Sequence, residues 1–289
     1  MTTTKKKKFI IIDANSLIHR AFHALPPLQT KDNVLVNAVY GFTTILLKAL
    51  KDLKPDYIAC CFDVDKNTFR KQEYKEYKAH RKEQPNELYH QFPLIKELLE
   101  AFKIPIYEKQ GFEADDVIGT ITKINNQKNK EIKNMIVSGD LDLLQLVNDN
   151  TEVYTMKRGI SDTIIYNESA VKERFDFGPE KLIDYKALRG DASDNIPGVK
   201  GIGEKTGIAL IKHFGSLDNL YKKIEKYNDI KDIKDKQEIK IIKPAVLKNL
   251  KEHKDDAYLS QKLVRIVQDV KIDFDLKNCK VEEFDTQHV

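Results

Sequence analysis

Short apolar runs rich in β-branched and aromatic residues alternate with stretches of helical period through the first two thirds of the chain. That alternation predicts a mostly parallel sheet covered by crossover helices. Phe9 to Ile12, Tyr57 to Phe62, Ile104 to Tyr107 and Met135 to Val137 read as strands. Between them Val39, Phe42, Leu46, Leu47 and Leu50 recur at helical spacing, as do Leu94, Ile95, Leu98 and Leu99, and again Val117, Ile118, Ile121 and Ile124. Glu152 to Met156 and Thr163 to Tyr166 flank Arg158-Gly159 and predict an edge hairpin. From about Phe175 the pattern changes to short helices broken by Pro179, Gly190, Pro197, Gly198, Gly201, Gly203 and Gly215, so residues 175–289 are expected to form a second, helical domain after a sheet domain over 1–174.

At 289 residues, with 41% hydrophobic and 33% charged positions, the chain is large enough for two domains and has neither a disordered nor a membrane composition. The apolar stretch after the basic start is four residues long before Asp13, too short for a signal peptide or a membrane helix. Three cysteines without a C-x-x-C spacing speak against a thiolate zinc site and for a reducing compartment, so the expected location is cytoplasmic. The charge balance, 49 basic against 45 acidic, is too mild by itself to indicate a nucleic-acid partner. Its distribution is more informative.

Each expected strand runs into acid. Asp13 follows Phe9 to Ile12, Asp63 follows Tyr57 to Phe62, Asp140 and Asp142 follow the Met135 strand, and Glu113, Asp115 and Asp116 follow the Ile104 strand. In an open parallel sheet the carboxyl ends lie on one edge, where ligands bind, so these acids should converge. Singly, each has an ordinary reading, as a strand-end turn residue or as a cap of the Val117 helix. Jointly, clustered carboxylates call for cations, and an all-oxygen donor set suits Mg2+ or Mn2+ better than zinc. A further acidic group, Asp191 and Asp194, lies just before Pro197-Gly198-Val199-Lys200-Gly201-Ile202-Gly203. That glycine-rich stretch is not a phosphate-binding P-loop, because Glu204 separates the last glycine from Lys205-Thr206 and no strand precedes it. It fits a tight turn between helices, with the second helix starting near Glu204, whose amides together with Lys200 and Lys205 could meet a duplex backbone without reading bases.

Lys66 to Lys82 carries seven Lys or Arg against two Glu, with Tyr74 and Tyr77 interleaved. Such a segment suits a nucleic-acid backbone and unpaired bases. The stretch Tyr221 to Lys254 holds 11 Lys against 6 acids and is also readable as a solvated surface.

Five motifs, IIDANSLIHRAFHALPPL (11–28), CFDVDKNTFRKQEYKEYKAHR (61–81), GFEADDVIGT (111–120), VSGDLDLLQLV (137–147) and LRGDASDNIPGVKGIGEKTGIALI (188–211), together resemble the 5' nuclease family, which includes the 5'-3' exonuclease domain of bacterial DNA polymerase I and the flap endonucleases. The resemblance implies a PIN-like sheet domain with a helical arch over about 66–92, followed by a helix-three-turn-helix domain. It implies one metal set of Asp13, Asp63, Glu113, Asp115 and Asp116 and a second of Asp140, Asp142, Asp191 and Asp194, occupied by two Mg2+ ions for which Mn2+ can substitute. Tyr77, Lys78 and Arg81 match the arch residues at the scissile region, while Arg20 and Arg70 match further DNA-binding positions. Gly198, Lys200, Gly201, Gly203, Lys205 and Thr206 match the duplex-binding turn, where a K+ ion is a further candidate. The implied activity is 5'-3' exonuclease and 5'-flap endonuclease hydrolysis of DNA, by a monomer working with a polymerase in cis or in trans.

Two other readings stay open at this level. A non-catalytic binder of branched DNA would keep its activity with Asp115 and Asp140 replaced by Asn, and a PIN-type ribonuclease would prefer single-stranded RNA to a 5' flap.

Overall fold

A computed structural model of the chain describes residues 6–65 and 67–282. By contact density they form two compact units that are not contiguous in sequence. One takes in residues up to 69, 82–167 and everything from 266 onward; the other comprises 70–81 and 168–265.

The first unit is built on a six-stranded sheet with strand order β3-β2-β1-β4-β5-β6, parallel except for the last strand. Its elements are β1 (Lys7–Asp13), α1 (Ala14–Ala24), α2 (Asn37–Leu53), β2 (Tyr57–Phe62), α3 (Phe69–Glu73, which crosses into the other unit), α4 (Asn86–Tyr89), α5 (Gln91–Ala101), β3 (Ile106–Glu108), α6 (Ala114–Lys128), β4 (Ile132–Val137), β5 (Thr151–Arg158) and β6 (Asp162–Tyr166). Ile10, Ile11 and Ile12 of β1 are all buried, so both faces of the central strand are covered, as a parallel sheet requires. The hairpin β5-β6 forms the antiparallel edge with a register shift between Met156 and Arg158.

Several strand boundaries differ from expectation by one to three residues, and two of the differences have identifiable reasons. β3 starts at Ile106 and not Ile104, because the Pro105 carbonyl accepts from Cys60 N–H but proline has no N–H to continue the ladder. β4 starts three residues early, at Ile132. Its Lys133 and Asn134 look polar, yet Asn134 is fully buried and satisfied by Asn125, Asn126 and Thr151, so a polar residue sits inside a strand without cost to its hydrogen bonding.

The chain returns to this unit after the helical one. Phe274 stacks on Phe9 at 5.9 Å, Lys280 bridges to Tyr57, and Val281 N–H donates to the Asp56 carbonyl at 3.0 Å. Cys60, Cys61 and Cys279 are free and buried.

The second unit is helical: α7 (Glu168–Phe175), α8 (Leu182–Arg189), α9 (Glu204–Phe214), α10 (Leu217–Ile224), α11 (Lys236–Ile241), α12 (Pro244–Glu252) and α13 (Lys254–Val264). Tyr185, Leu188, Leu210, Leu220, Tyr221, Leu250 and Leu263 supply its interior. Of the helical arch expected over 66–92, the described residues show α3, a run of turns to residue 80, then α4 and the start of α5, with Lys66 outside them. No helix among the described residues is long and apolar enough to cross a membrane.

Helices α1 and α2 pack so closely that a Cβ at Gly41 would lie 2.6 Å from Ala21 Cβ and 2.9 Å from Leu25 Cδ1. Gly41→Val is therefore expected to destabilise the protein by about 1–3 kcal/mol through overpacking, read as a lowered thermal midpoint; an unchanged midpoint would show that the contact yields freely.

Candidate functional site

Strand order reverses direction at β1 and β4, and the carboxyl ends of such a pair are where an open α/β sheet binds ligands. Asp13 ends β1 and caps α1, its Oδ1 accepting from Ser16 N–H at 3.3 Å. Its Oδ2 accepts from the Ser138 hydroxyl at 2.5 Å. Asp13 is 3% exposed, and its carboxyl is pushed up to about 6. Burial is the main cause and the neighbouring Asp63 and Asp140 carboxylates add to it, against the opposing hydrogen bonds from Ser138 and Ser16. Asp13 thus feels both other strand-end acids, as the alignment of parallel strands predicts.

Asp63, just past β2, accepts Ala114 N–H on Oδ1 at 2.6 Å and receives its backbone position from Asn15, whose Oδ1 accepts Asp63 N–H at 3.1 Å. This bond ties the end of β2 to the first turn of α6, where an anion is favoured by the helix dipole. Glu113 is the N-cap of α6 in a capping box with Asp116, and Asp115 lies in the first turn. Asp116 is fully buried, with Oδ2 on Glu113 N–H at 3.1 Å and Oδ1 on Val267 N–H at 2.8 Å. The capping role open to this trio is therefore realised by Glu113 and Asp116 together, and Asp116 also anchors the returning C-terminal segment. Asp140 donates its N–H to Ser138 Oγ at 2.8 Å and accepts Asp142 N–H on Oδ1 at 2.8 Å.

Among the described residues, no three His, Cys, Asp or Glu side chains are arranged as a finished metal cage. The donor chemistry nevertheless fits a hard divalent cation. It is a set of carboxylates in which burial, with the neighbouring carboxylates adding to it, raises Asp13, and a cation would relieve both penalties.

The helical unit carries the other two acids. Asp191 accepts from Lys186 Nζ at 2.8 Å and from the Ser193 amide and hydroxyl at 2.9 and 2.6 Å. Partial burial works to raise it, but the Lys186 ammonium and these hydrogen bonds prevail and hold it at about 2. Asp194 accepts from Tyr77 Oη at 3.3 Å, pairs with Lys78 Nζ at 3.6 Å and forms a close ion pair with Arg81. The three residues assigned to the scissile region therefore meet at one acid of the same unit. Tyr77 is buried, and Lys78 Nζ lies 4.9 Å from its ring centre.

Arg70, expected to contact DNA, is placed differently. It is 2% exposed, with Nε on the Leu263 carbonyl at 2.8 Å and Nη2 on the Arg265 carbonyl at 2.9 Å. A guanidinium held inside by two carbonyls fastens the basic segment to the end of α13; it has no exposed face for a phosphate. Arg20 donates from Nε to the Gly159 carbonyl at 2.8 Å.

The glycine turn has the expected second helix, α9, starting at Glu204 with Gly203 as its N-cap. Gly198 (φ 60°) lies against Gly190, where a Cβ would come 2.3 Å from the Gly190 nitrogen, so glycine is required there by both conformation and space. Lys200, Gly201, Gly203 and Lys205 are exposed and Thr206 is half-buried, leaving the start of α9 accessible.

The serine and asparagine residues beside the acids, Asn15, Ser16 and Ser138, escape a reading that looks only for charge. The signal was present as small polar residues directly next to strand-end acids.

Carboxylates along the carboxyl edge of a parallel sheet suit the binding of hard divalent cations, and comparison with known proteins supplies the class. Residues 8–176 match the family model of the 5'-3' exonuclease N-terminal resolvase-like domain, and residues 177–287 that of the 5'-3' exonuclease C-terminal SAM fold. The chain belongs to the 5'-3' exonuclease family, a family of nucleases. It is 42% identical over 286 residues to DNA polymerase I of Bacillus subtilis, covering 99% of this chain and 31% of that protein, and 41% identical over 284 residues to DNA polymerase I of Bacillus caldotenax, covering 98% and 31%. The chain thus spans about a third of the length of these relatives. Among solved structures it resembles T5 5'-exonuclease with bound zinc (TM-score 0.67, 25% identity, 89% of each chain) and, in fold, the catalytic core of Rad2 in complex with a DNA substrate (TM-score 0.57, 19% identity, 94% of this chain and 83% of that one).

Two predictions follow from the contrasting acids and the buried arginine. Because the folded carboxyl of Asp13 lies above its ordinary 3.8, its protonated form is the one the fold favours, and the stability it contributes is lost as pH rises from about 4 through about 6. Asp13→Asn should then raise the stability of the metal-free protein at pH 7.5 by about 1–3 kcal/mol in urea titrations, with the gain vanishing near pH 4. For Arg70, replacement by Ala should cost about 2–4 kcal/mol and Lys should fail to restore it, since one ammonium cannot reproduce the planar fork; full rescue by Lys would refute the clamp.

Proposed function

We propose that the chain is a 5'-3' DNA exonuclease and 5'-flap endonuclease specific for branched structure, hydrolysing phosphodiester bonds with two divalent ions, as primer and flap removal in replication and repair requires. The observation that carries this reading is the gathering of Asp13, Asp63 and Asp140 at one sheet edge, where burial and mutual repulsion raise Asp13 to about 6. Oxygen-only donors favour Mg2+, with Mn2+ as a substitute. The zinc bound to T5 5'-exonuclease supports divalent-metal dependence by likeness.

Asp13, Asp63, Glu113, Asp115 and Asp116 are proposed for one ion, and Asp140 and Asp142 for the other; Asp191 and Asp194 are assigned to the second on their motif. Asp116 enters chiefly as the residue that orients the start of α6, given that both its oxygens hold backbone amides. The chemistry that a pair of Mg2+ ions supplies when bound is polarisation of the phosphodiester and a lowered pKa for an attacking water. The chain's own groups do the remaining work. Lys78 and Arg81 would exchange Asp194 for a phosphate oxygen and offset the charge that develops on it. Tyr77 places these two cations, with Arg70 as the fastening behind them. Lys200, Gly201, Gly203, Lys205 and Thr206 would hold duplex phosphates through backbone amides and exposed ammonium groups, with Arg20 as a further contact and K+ as a candidate ligand of the turn; Gly198, expected among them, is buried with its amide on Ser260 Oγ at 2.9 Å and serves the shape of the turn instead.

The sheet unit would supply the catalytic domain and the helical unit the DNA-holding one, so that the boundary expected at 174/175 gives way to units in which 70–81 join the helices and the stretch from 266 joins the sheet, in a cytoplasmic monomer acting beside a polymerase in cis or in trans. A duplex with a labelled 5' flap tests this directly. Cleavage near the junction is expected with Mg2+ and none with EDTA, and Asp140→Asn should lower the rate on the order of a hundredfold or more. Absence of metal-dependent cleavage near the junction would overturn the reading.

A further inference from the structure

We propose that Ser138 is a positioning residue that sets the separation and orientation of Asp13 and Asp140, two acids that come from different strands. The inference rests on the reading of those acids as metal ligands.

Ser138 directly follows β4 and is fully buried. Its Oγ meets three partners: Asp13 Oδ2 at 2.5 Å, the Asp140 amide nitrogen at 2.8 Å and Ser16 Oγ at 3.0 Å. A hydroxyl has one proton and two lone pairs. With Asp13 ionised, the proton goes to Asp13, because a carboxylate can only accept. The Asp140 N–H then takes one lone pair, and the other accepts the Ser16 hydroxyl at 3.0 Å, for which the Asp13 carbonyl oxygen at 3.4 Å is the alternative acceptor. Ser16 is itself fixed, since its Oγ accepts Gly139 N–H at 3.0 Å and its N–H caps Asp13 Oδ1 at 3.3 Å.

The consequence is geometric. Asp13 is held on both oxygens, which fixes the plane of the carboxylate, while each oxygen keeps a second lone pair for a ligand. The same serine pins the backbone of Asp140. Partners of this kind behind ligating carboxylates typically govern metal affinity.

A serine that merely stabilises the fold would lower the melting temperature and leave metal affinity alone, so affinity is the decisive readout. The full chain, as wild type, Ser138→Ala, Ser138→Thr and Ser138→Cys, is titrated with MnCl2 by calorimetry at a temperature where each is fully folded in EDTA. Ser138→Ala is expected to bind Mn2+ about 10–100-fold more weakly, and Ser138→Thr to retain wild-type affinity because it keeps the hydroxyl. The Mn2+ concentration for half-maximal flap cleavage should rise in parallel, with the rate largely recovered at saturating Mn2+. If Ser138→Ala does not fold, Ser138→Cys, which keeps the volume but donates weakly, carries the same expectation with a smaller loss. Affinity within about twofold of wild type in the folded variant would overturn the proposal. Wild-type protein that takes up no Mn2+ at all would overturn the metal reading itself, an outcome separate from loss in the variants alone.

Discussion

Burying a carboxylate beside other acids at the end of a parallel sheet is the constraint on which the sheet unit is built. Raising Asp13 from its ordinary 3.8 to about 6 corresponds to about 3 kcal/mol of unfavourable interaction for the ionised form. Against it stands the interior beneath. Full burial of one isoleucine contributes about 1.5–3 kcal/mol, and β1 alone buries Ile10, Ile11 and Ile12 in the residues leading to that acid. The core therefore outweighs this penalty, which is mainly the cost of burying the charge with the neighbouring carboxylates adding to it, and it does so within a single strand. Small hydrogen-bond donors complete the arrangement: Ser16, Ser138 and the amides of Ala114 and Asp142 each meet one carboxylate oxygen, so the acids are close without being bare.

The helical unit solves the same chemical problem the other way. Asp191 is held at about 2 by Lys186 and Ser193, and Asp194 is met by Tyr77, Lys78 and Arg81. One residue type therefore stands at opposite extremes in the two units. In the sheet unit Asp13 is raised by burial and by its acidic neighbours Asp63 and Asp140; in the helical unit Asp191 and Asp194 each sit beside a cation, Lys186 and Arg81. Stability from Asp191 is present above about pH 4 and is lost as pH falls through about 2, the reverse of the behaviour of Asp13.

Much of this was legible from residue pattern, and the exceptions have physical causes. β2 is readable from end to end because all six of its residues are apolar and Asp56 and Asp63 bound it. The placement of Asp13, Asp63 and Asp140 at one edge follows from parallel strands alone. β4 was shortened because Asn134 hides its polarity in a side-chain network that spacing does not reveal. Arg70 looked like one more member of a basic run, and only tertiary packing distinguishes a cation held by two carbonyls from one facing solvent. The return of residues 266–282 to the sheet unit left no mark at all, since that stretch makes contacts through single amides and aromatic rings without a strand period.

That return has a consequence for how the molecule is made. The amide that satisfies Asp116 belongs to Val267, the one that meets Thr120 to Val270, and the ring that covers Phe9 to Phe274. On a ribosome these groups emerge after the whole of the helical unit. A nascent sheet unit therefore waits with a buried acid half-satisfied and an aromatic face open, while the inserted helices, whose contacts from 168 to 265 are nearer in sequence, can already close. Synthesis order and contact order run in opposite senses here: the unit begun first is the one finished last.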